Sequence, residues 1–157
     1  MKIIIRAGGI IRKGPEFNLI QDYLKRANGL SRSCGFIGVE EIGIDLSKCK
    51  NRAAETDQLF SFAEKSSDPI VILDERGKDI TSRQVATQMS RWRDDGVKNL
   101  HIVIGGADGF EPCHLPKGTV KWCLGRMTWP HKLVRVMISE QIYRALSILN
   151  GSPYHRD

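Results

Sequence analysis

Two hydrophobic periods alternate along this chain. Lys2 to Ala7 is a short apolar run that predicts a buried strand, closed by Gly8-Gly9. Pro15 to Asn28 then sets Phe17, Ile20, Leu24 and Ala27 at helical spacing, with Gly29 as a stop signal. Phe36 to Ile42 predicts a second strand, and the polar stretch from Gly43 to Asn51, with Lys48 and Lys50, predicts a mobile loop. A helix is expected from Ala53 to Lys65, carrying Leu59, Phe60, Phe62 and Ala63. Pro69 to Asp74 predicts a compact strand, followed by a turn over Glu75 to Lys78.

The next helix carries its own start signal. Thr81 and Gln84 have capping-box spacing, and Ile80 and Val85 are placed to staple it. Val85, Met89 and Trp92 mark its buried stripe, and Asp95-Gly96 ends it. Leu100 to Ile104 predicts a strand that runs into Gly105-Gly106-Ala107-Asp108-Gly109, and Val120 to Leu124 predicts another. Pro130 then opens a long helix, with Thr128 or Trp129 at the cap. From Leu133 to Leu149 that helix is apolar on almost every side, and Glu140, Arg144 and Ser147 form its one polar line. Such a helix needs cover on more than one face. The sheet supplies one cover, and a second copy of the chain is the candidate for the other. Strands alternating with helices imply an α/β domain with a largely parallel, two-sided sheet. The 157 residues contain no linker or repeat, so a single domain is expected.

Composition changes this picture little: 41% hydrophobic and 27% charged residues are ordinary for a globular chain. The formal net charge of +6 permits a polyanionic partner, of which nucleic acid is the usual one. The four cysteines (Cys34, Cys49, Cys113, Cys123) form no CxxC pair and the histidines are scattered. Neither a metal site nor a disulfide framework is indicated, and reduced thiols suit a cytoplasmic protein. The N-terminal apolar run is too short for a signal peptide, and no stretch approaches membrane-spanning length.

Ligands of parallel sheets bind at the carboxyl ends of the strands, which selects the loops after Leu73, Ile104 and Leu124. Gly105 and Gly106 either let backbone approach a ligand closely or form a tight turn, the commoner use of paired glycines. Gly8-Gly9 lacks the G-x-G-x-x-G spacing of a dinucleotide site. His101, within an apolar strand, reads as structural, while His131 is either a packing residue or a substrate contact. The tail Tyr154-His155-Arg156 combines groups that stack on bases and bind phosphate, and is either docked structure or a working element.

Five segments carry a resemblance: Ile104 to Gly109, Met127 to His131, Leu133 to Val136, Glu140 to Arg144, and Tyr154 to Arg156. Together and in this order they resemble the RlmH family, small SPOUT-class methyltransferases that act on a pseudouridine of 23S ribosomal RNA. The similarity runs essentially end to end, including Tyr23 to Arg26, and is thinnest from Glu41 to Thr56. The resemblance implies a SPOUT α/β-knot with a C-terminal deep trefoil knot, and a homodimer. It implies S-adenosylmethionine as methyl donor, contacted by Leu73, Gly105, Gly106, Leu124, Gly125, Arg126, Met127, Thr128 and Trp129, with no metal. The acceptor implied is N3 of a pseudouridine, methylated on the ribosome. For the chemistry, His155 is the candidate base and Tyr154 the stacking residue. Arg156 and Arg135 are candidates to hold phosphate or polarise a uracil carbonyl. A transfer RNA methyltransferase and a ribosome-binding protein without catalysis are the competing functions.

Overall fold

The computed structural model describes residues 1–125 and 127–156, with the side chain of Lys65 left out. Five strands form one sheet: β1 (Lys2–Gly8), β2 (Gly38–Ile44), β3 (Ile70–Asp79), β4 (Asn99–Ile104) and β5 (Val120–Cys123). Their order is β2-β1-β4-β3-β5 and every pairing is parallel. All five carboxyl ends therefore lie along one edge. The helices are α1 (Pro15–Ser31), α2 (Arg52–Leu59), α3 (Ser82–Asp94) and α4 (His131–Leu149).

Period-two alternation divides the strands between two cores. Ile3, Ile5, Leu100, Ile102 and Val71 face α1, α3 and α4, where Ile20, Leu24, Val85, Met89, Ile138 and Ile142 meet them. Ile70, Ile72 and Val103 face the opposite side, covered by Leu59 and Phe60 and by the irregular segments carrying Phe62, Phe110 and Leu115. The capping box is present: Thr81 Oγ1 accepts from Gln84 N at 3.2 Å and Gln84 Oε1 from Thr81 N at 2.9 Å. Ile80 and Val85, the expected staple, both belong to the larger core.

Several expected boundaries move. Helix α1 runs through Gly29 to Ser31. Asn28 is why: its side chain donates to Leu24 O and Val39 O and accepts from Val39 N, all at 2.9 Å, fixing this end of the helix to β2. Helix α2 stops at Leu59 rather than Lys65, because Phe60 and Phe62 turn inward to the smaller core. Helix α4 starts one residue late, and Pro130 itself is the cap residue, without a side-chain cap bond from Thr128 or Trp129. The expected turn at Glu75 to Lys78 is a break in pairing inside β3: Leu73 and Lys78 both register against Trp122 of β5. The stretch from Gly43 to Asn51 is tied by specific bonds, with Asp45 accepting from Ser47 N and Asn51 capping α2 through Ala54 N.

The cover expected for α4 is partly internal. Helix α4 lies between α1 and α3, and Ile138, Ile142, Ala145 and Leu146 are fully buried. The polar line is also shorter than its sequence suggests, since Ser147 is fully buried too.

Candidate active site

The three loops selected from the sequence meet. Leu73, Gly105, Gly106, Leu124, Gly125, Met127, Thr128 and Trp129 line one cleft of about 510 Å³ at the carboxyl ends of β3, β4 and β5. Arg126, expected among them, lies outside the described residues. Leu73, Leu124, Met127, Trp129 and Phe110 give the cleft apolar walls, and its size is that of an ordinary small-molecule site.

Of the two uses open to Gly105 and Gly106 in the sequence, the tight turn is the one their surroundings require. A Cβ on Gly105 would lie 3.1 Å from the backbone of Gly109, and one on Gly106 only 2.6 Å from Glu55 Oε2. Both crowd their own chain, so the tight turn of residues 105–109 is their first use. Gly109 N donates to Gly106 O at 3.1 Å to close it. Gly125 has the conformational need, with φ of +113° and only Trp129 Nε1, at an ordinary contact distance of 3.8 Å, near its Cβ position.

His131 settles on a specific contact. Its Nε2 lies 2.5 Å from Gly105 O, and a carbonyl only accepts, so Nε2 carries the hydrogen. The first turn of α4 thereby holds the donor loop in place. Sequence reasoning passed over Asp74, Glu75 and Arg76, which also line the cleft because β3 breaks its pairing there. Gly77 is the visible trace of that break, since a Cβ would sit 2.7 Å from the Trp122 backbone.

A second, larger cavity of about 880 Å³ lies beyond Leu124 and Gly125, which line both. Tyr23 of α1, Arg83 of α3, Met137 and Glu140 of α4, and His155 of the tail surround it. The tail is docked there. Tyr154 donates to Glu140 Oε1 at 3.0 Å, and its ring packs 4.5 Å from that of Tyr143. Burial, then the Glu140 carboxylate, pushes the Tyr154 phenol well above its ordinary range, so it remains a donor. Arg144 donates to Glu140 from Nε at 2.9 Å and Nη2 at 2.5 Å, and from Nη1 to His155 Nδ1 at 3.3 Å. Glu140 and Arg144 are thus the residues that seat the tail, a role foreshadowed only by their i,i+4 spacing. Arg156 is exposed.

Arg135 does not join this group, and its expected contact with phosphate or base is corrected. Its side chain is 1% exposed, ion-paired with Glu41 and donating to Gly9 O at 2.9 Å. It ties α4 to the end of β1 and the middle of β2 and is closed to substrate in this chain. His101 is structural, as expected. It lies on the opposite face, where Arg6 Nε donates to its Nδ1 at 3.3 Å and the Phe62 ring centroid is 4.1 Å away.

An all-parallel α/β sheet with a lined cleft over three adjacent carboxyl ends places the candidate site where sheets of this class bind small-molecule ligands. Sequence comparison gives the particular kind. The family described as "Predicted SPOUT methyltransferase" matches residues 1–155, and the chain belongs to it. Relatives named ribosomal RNA large subunit methyltransferase H are similar over their full length. That of Maricaulis maris is 43% identical over 157 residues, covering 100% of both chains. Those of Cereibacter sphaeroides and Hyphomonas neptunium are 43% and 40% identical over 156 residues, covering 99% of each chain. A solved probable methylase family protein from Haemophilus influenzae Rd KW20 is similar at a TM-score of 0.47 and 12% identity. That match covers 99% of this chain and 70% of the other.

Proposed function

We propose that this protein is an S-adenosylmethionine-dependent methyltransferase that acts on N3 of a pseudouridine in 23S ribosomal RNA, on the ribosome and in the cytoplasm. The observation that carries the proposal is the convergence of eight expected donor contacts on one cleft, in a chain whose full-length relatives bear a ribosomal RNA methyltransferase name. The cleft fits the donor. Leu73, Leu124, Met127 and Trp129 suit an adenine ring, and the backbone of residues 105–109 lies beside them to offer hydrogen bonds.

S-adenosylmethionine, when bound, supplies an already activated sulfonium methyl group. The chain's share is then to orient donor and acceptor and to handle one proton. His131 fixes the donor loop through Gly105 O. Leu124 and Gly125 separate the donor cleft from the cavity that His155 lines, which suits entry of the target base from the tail side. Tyr154 and Arg156 are the tail's stacking and phosphate candidates. His155 accepts the imide proton in this scheme, through Nδ1 once the hydrogen bond that Arg144 donates to it is released. A homodimer completes the site: Met127, Trp129 and Leu133 are exposed beside the cleft, 68%, 37% and 39% respectively, and a second copy would cover them.

Incorporation of labelled methyl groups into intact ribosomes, isolated large subunits and transfer RNA tests the proposal, with the modified base identified by nuclease digestion. Label at N3 of one 23S pseudouridine is expected. Label in transfer RNA alone would replace the substrate, and saturable donor binding without any transfer would make the protein a binder. His155→Ala is expected to lower the rate about a hundredfold with donor affinity retained.

A further inference from the structure

The loops that follow β1 and β2 concentrate the chain's positive charge. Residues 9–14 and 45–51 contain Arg12, Lys13, Lys48 and Lys50 against one acid, Asp45, a net +3 that is half of the chain's formal charge. All four cations are exposed, and none is ion-paired with a carboxylate among the described residues.

The two loops are built as one surface. Gly9 N donates to Ile44 O at 2.7 Å, and a Cβ on Gly43 would lie 2.9 Å from Gly9 O. Asp45 sits between them: its carboxyl is held below the ordinary range by Ser47 first, and then by the charges of Lys48 and Arg12, one from each loop. The surface also abuts the donor loop. A Cβ on Gly8 would lie 2.7 Å from Leu46 Cδ1 and 3.1 Å from both Gly105 O and Gly106 N.

We propose that Arg12, Lys13, Lys48 and Lys50 form a phosphate track that holds the RNA backbone beside the donor cleft. This rests on the ribosomal RNA substrate proposed above, and extends it to a surface outside the cleft. Long flexible cations with no ion-pair partner among the described residues suit phosphate, whose contacts position the chain without reading sequence. The sheet order supports this: β2, β1 and β4 follow one another along the same carboxyl edge, so a strand of RNA crossing the first two leads to the cleft.

The test compares R12Q/K13Q/K48Q/K50Q and the milder K48Q/K50Q with a control, R91Q/K98Q, whose exposed cations lie elsewhere on the surface. Folding is checked by thermal unfolding and donor binding by calorimetry, and both are expected to match the wild type. The KM for ribosomes should rise tenfold or more in the quadruple variant, with a smaller change in kcat. The slope of log(kcat/KM) against log salt should flatten by roughly 3, at about 0.7–0.9 per phosphate contact. A quadruple variant no weaker than R91Q/K98Q, with unchanged salt slope, overturns the track while wild-type methylation of ribosomes leaves the substrate standing. If the wild type methylates no ribosomal RNA, the substrate fails instead, and the track fails with it.

Discussion

Arg135 offers the sharpest test of structure against sequence, because the two assign it opposite duties. Arg135→Met removes the guanidinium and leaves the Glu41 carboxylate, 10% exposed, without its partner. Breaking a buried ion pair on one side costs about 3–5 kcal/mol. Gly9 O also loses its donor, adding roughly 1 kcal/mol. Against a typical total stability of about 5–15 kcal/mol, this is a large fraction. For a domain of this size each kcal/mol lowers the melting temperature by roughly 2–4 °C, so a fall of about 10–20 °C is expected. The double variant R135M/E41L removes both charges and should recover much of the loss, since an apolar replacement of such a pair is often neutral. Thermal and urea unfolding read both variants. An R135M protein with unchanged midpoint but abolished methyl transfer would return the arginine to the substrate. A double variant no more stable than the single would remove the ion pair as the cause.

The tail and the far face of the sheet supply the other predictions. Tyr154→Phe loses one hydrogen bond to a carboxylate and should lower stability by about 1.5–3 kcal/mol in chemical denaturation. Tyr154→Ala also loses the contacts with Tyr143 and Arg144 and should cost more, whereas two equal values would mean that the ring packing contributes nothing. His101 is held at about 4 by burial first and then by Arg6, with Asp68 and Glu40 opposing. The unfolded chain titrates near 6.5 and binds the extra proton first. Stability from this group is therefore fully present above that pH and is lost as pH falls to about 4, by up to roughly 3 kcal/mol. His101→Gln should flatten that part of the stability profile, and an unchanged profile would shift the dependence to another group.

What the sequence disclosed depended on whether a signal was local. The capping box of α3 needs only Thr81 and Gln84, and it stood as expected. All five strands were expected, and the apolar runs of β1, β3 and β4 were the plainest because these parallel strands are buried on both faces. Helix α1 overran its glycine because Asn28 bonds to β2, a partner the helix's own sequence does not contain. The donor cleft was accessible by rule, since carboxyl-end loops bind ligands and three of them follow strong strand signals. Arg135 was given a substrate contact by the family resemblance, and nothing in its own helix showed that Glu41 would bury it. One clue was present in β2: Val39 and Glu41 share a strand face, and Val39 belongs to the larger core. An acid on a core face asks for a buried cation, but only the fold says which. The break in β3 falls where the sequence placed a turn, but no hydrophobic period announces that β3 resumes its pairing with β5 at Lys78.

The reach of Arg135 also bears on how this protein can be made. Its guanidinium contacts Gly9, 126 residues earlier in the chain, and β1 sits between β2 and a β4 that begins at residue 99. Contacts so distant in sequence slow folding, because the loop-closure cost precedes the gain. On the synthesising ribosome, β1 must therefore wait with one edge unpaired until β4 has emerged, and the Gly9 loop stays unclamped until α4 follows. During that interval the apolar strand edge is open to other nascent chains. A product interrupted before residue 131 would be an aggregation-prone fragment with no fixed donor loop, so partial synthesis yields no partially active enzyme.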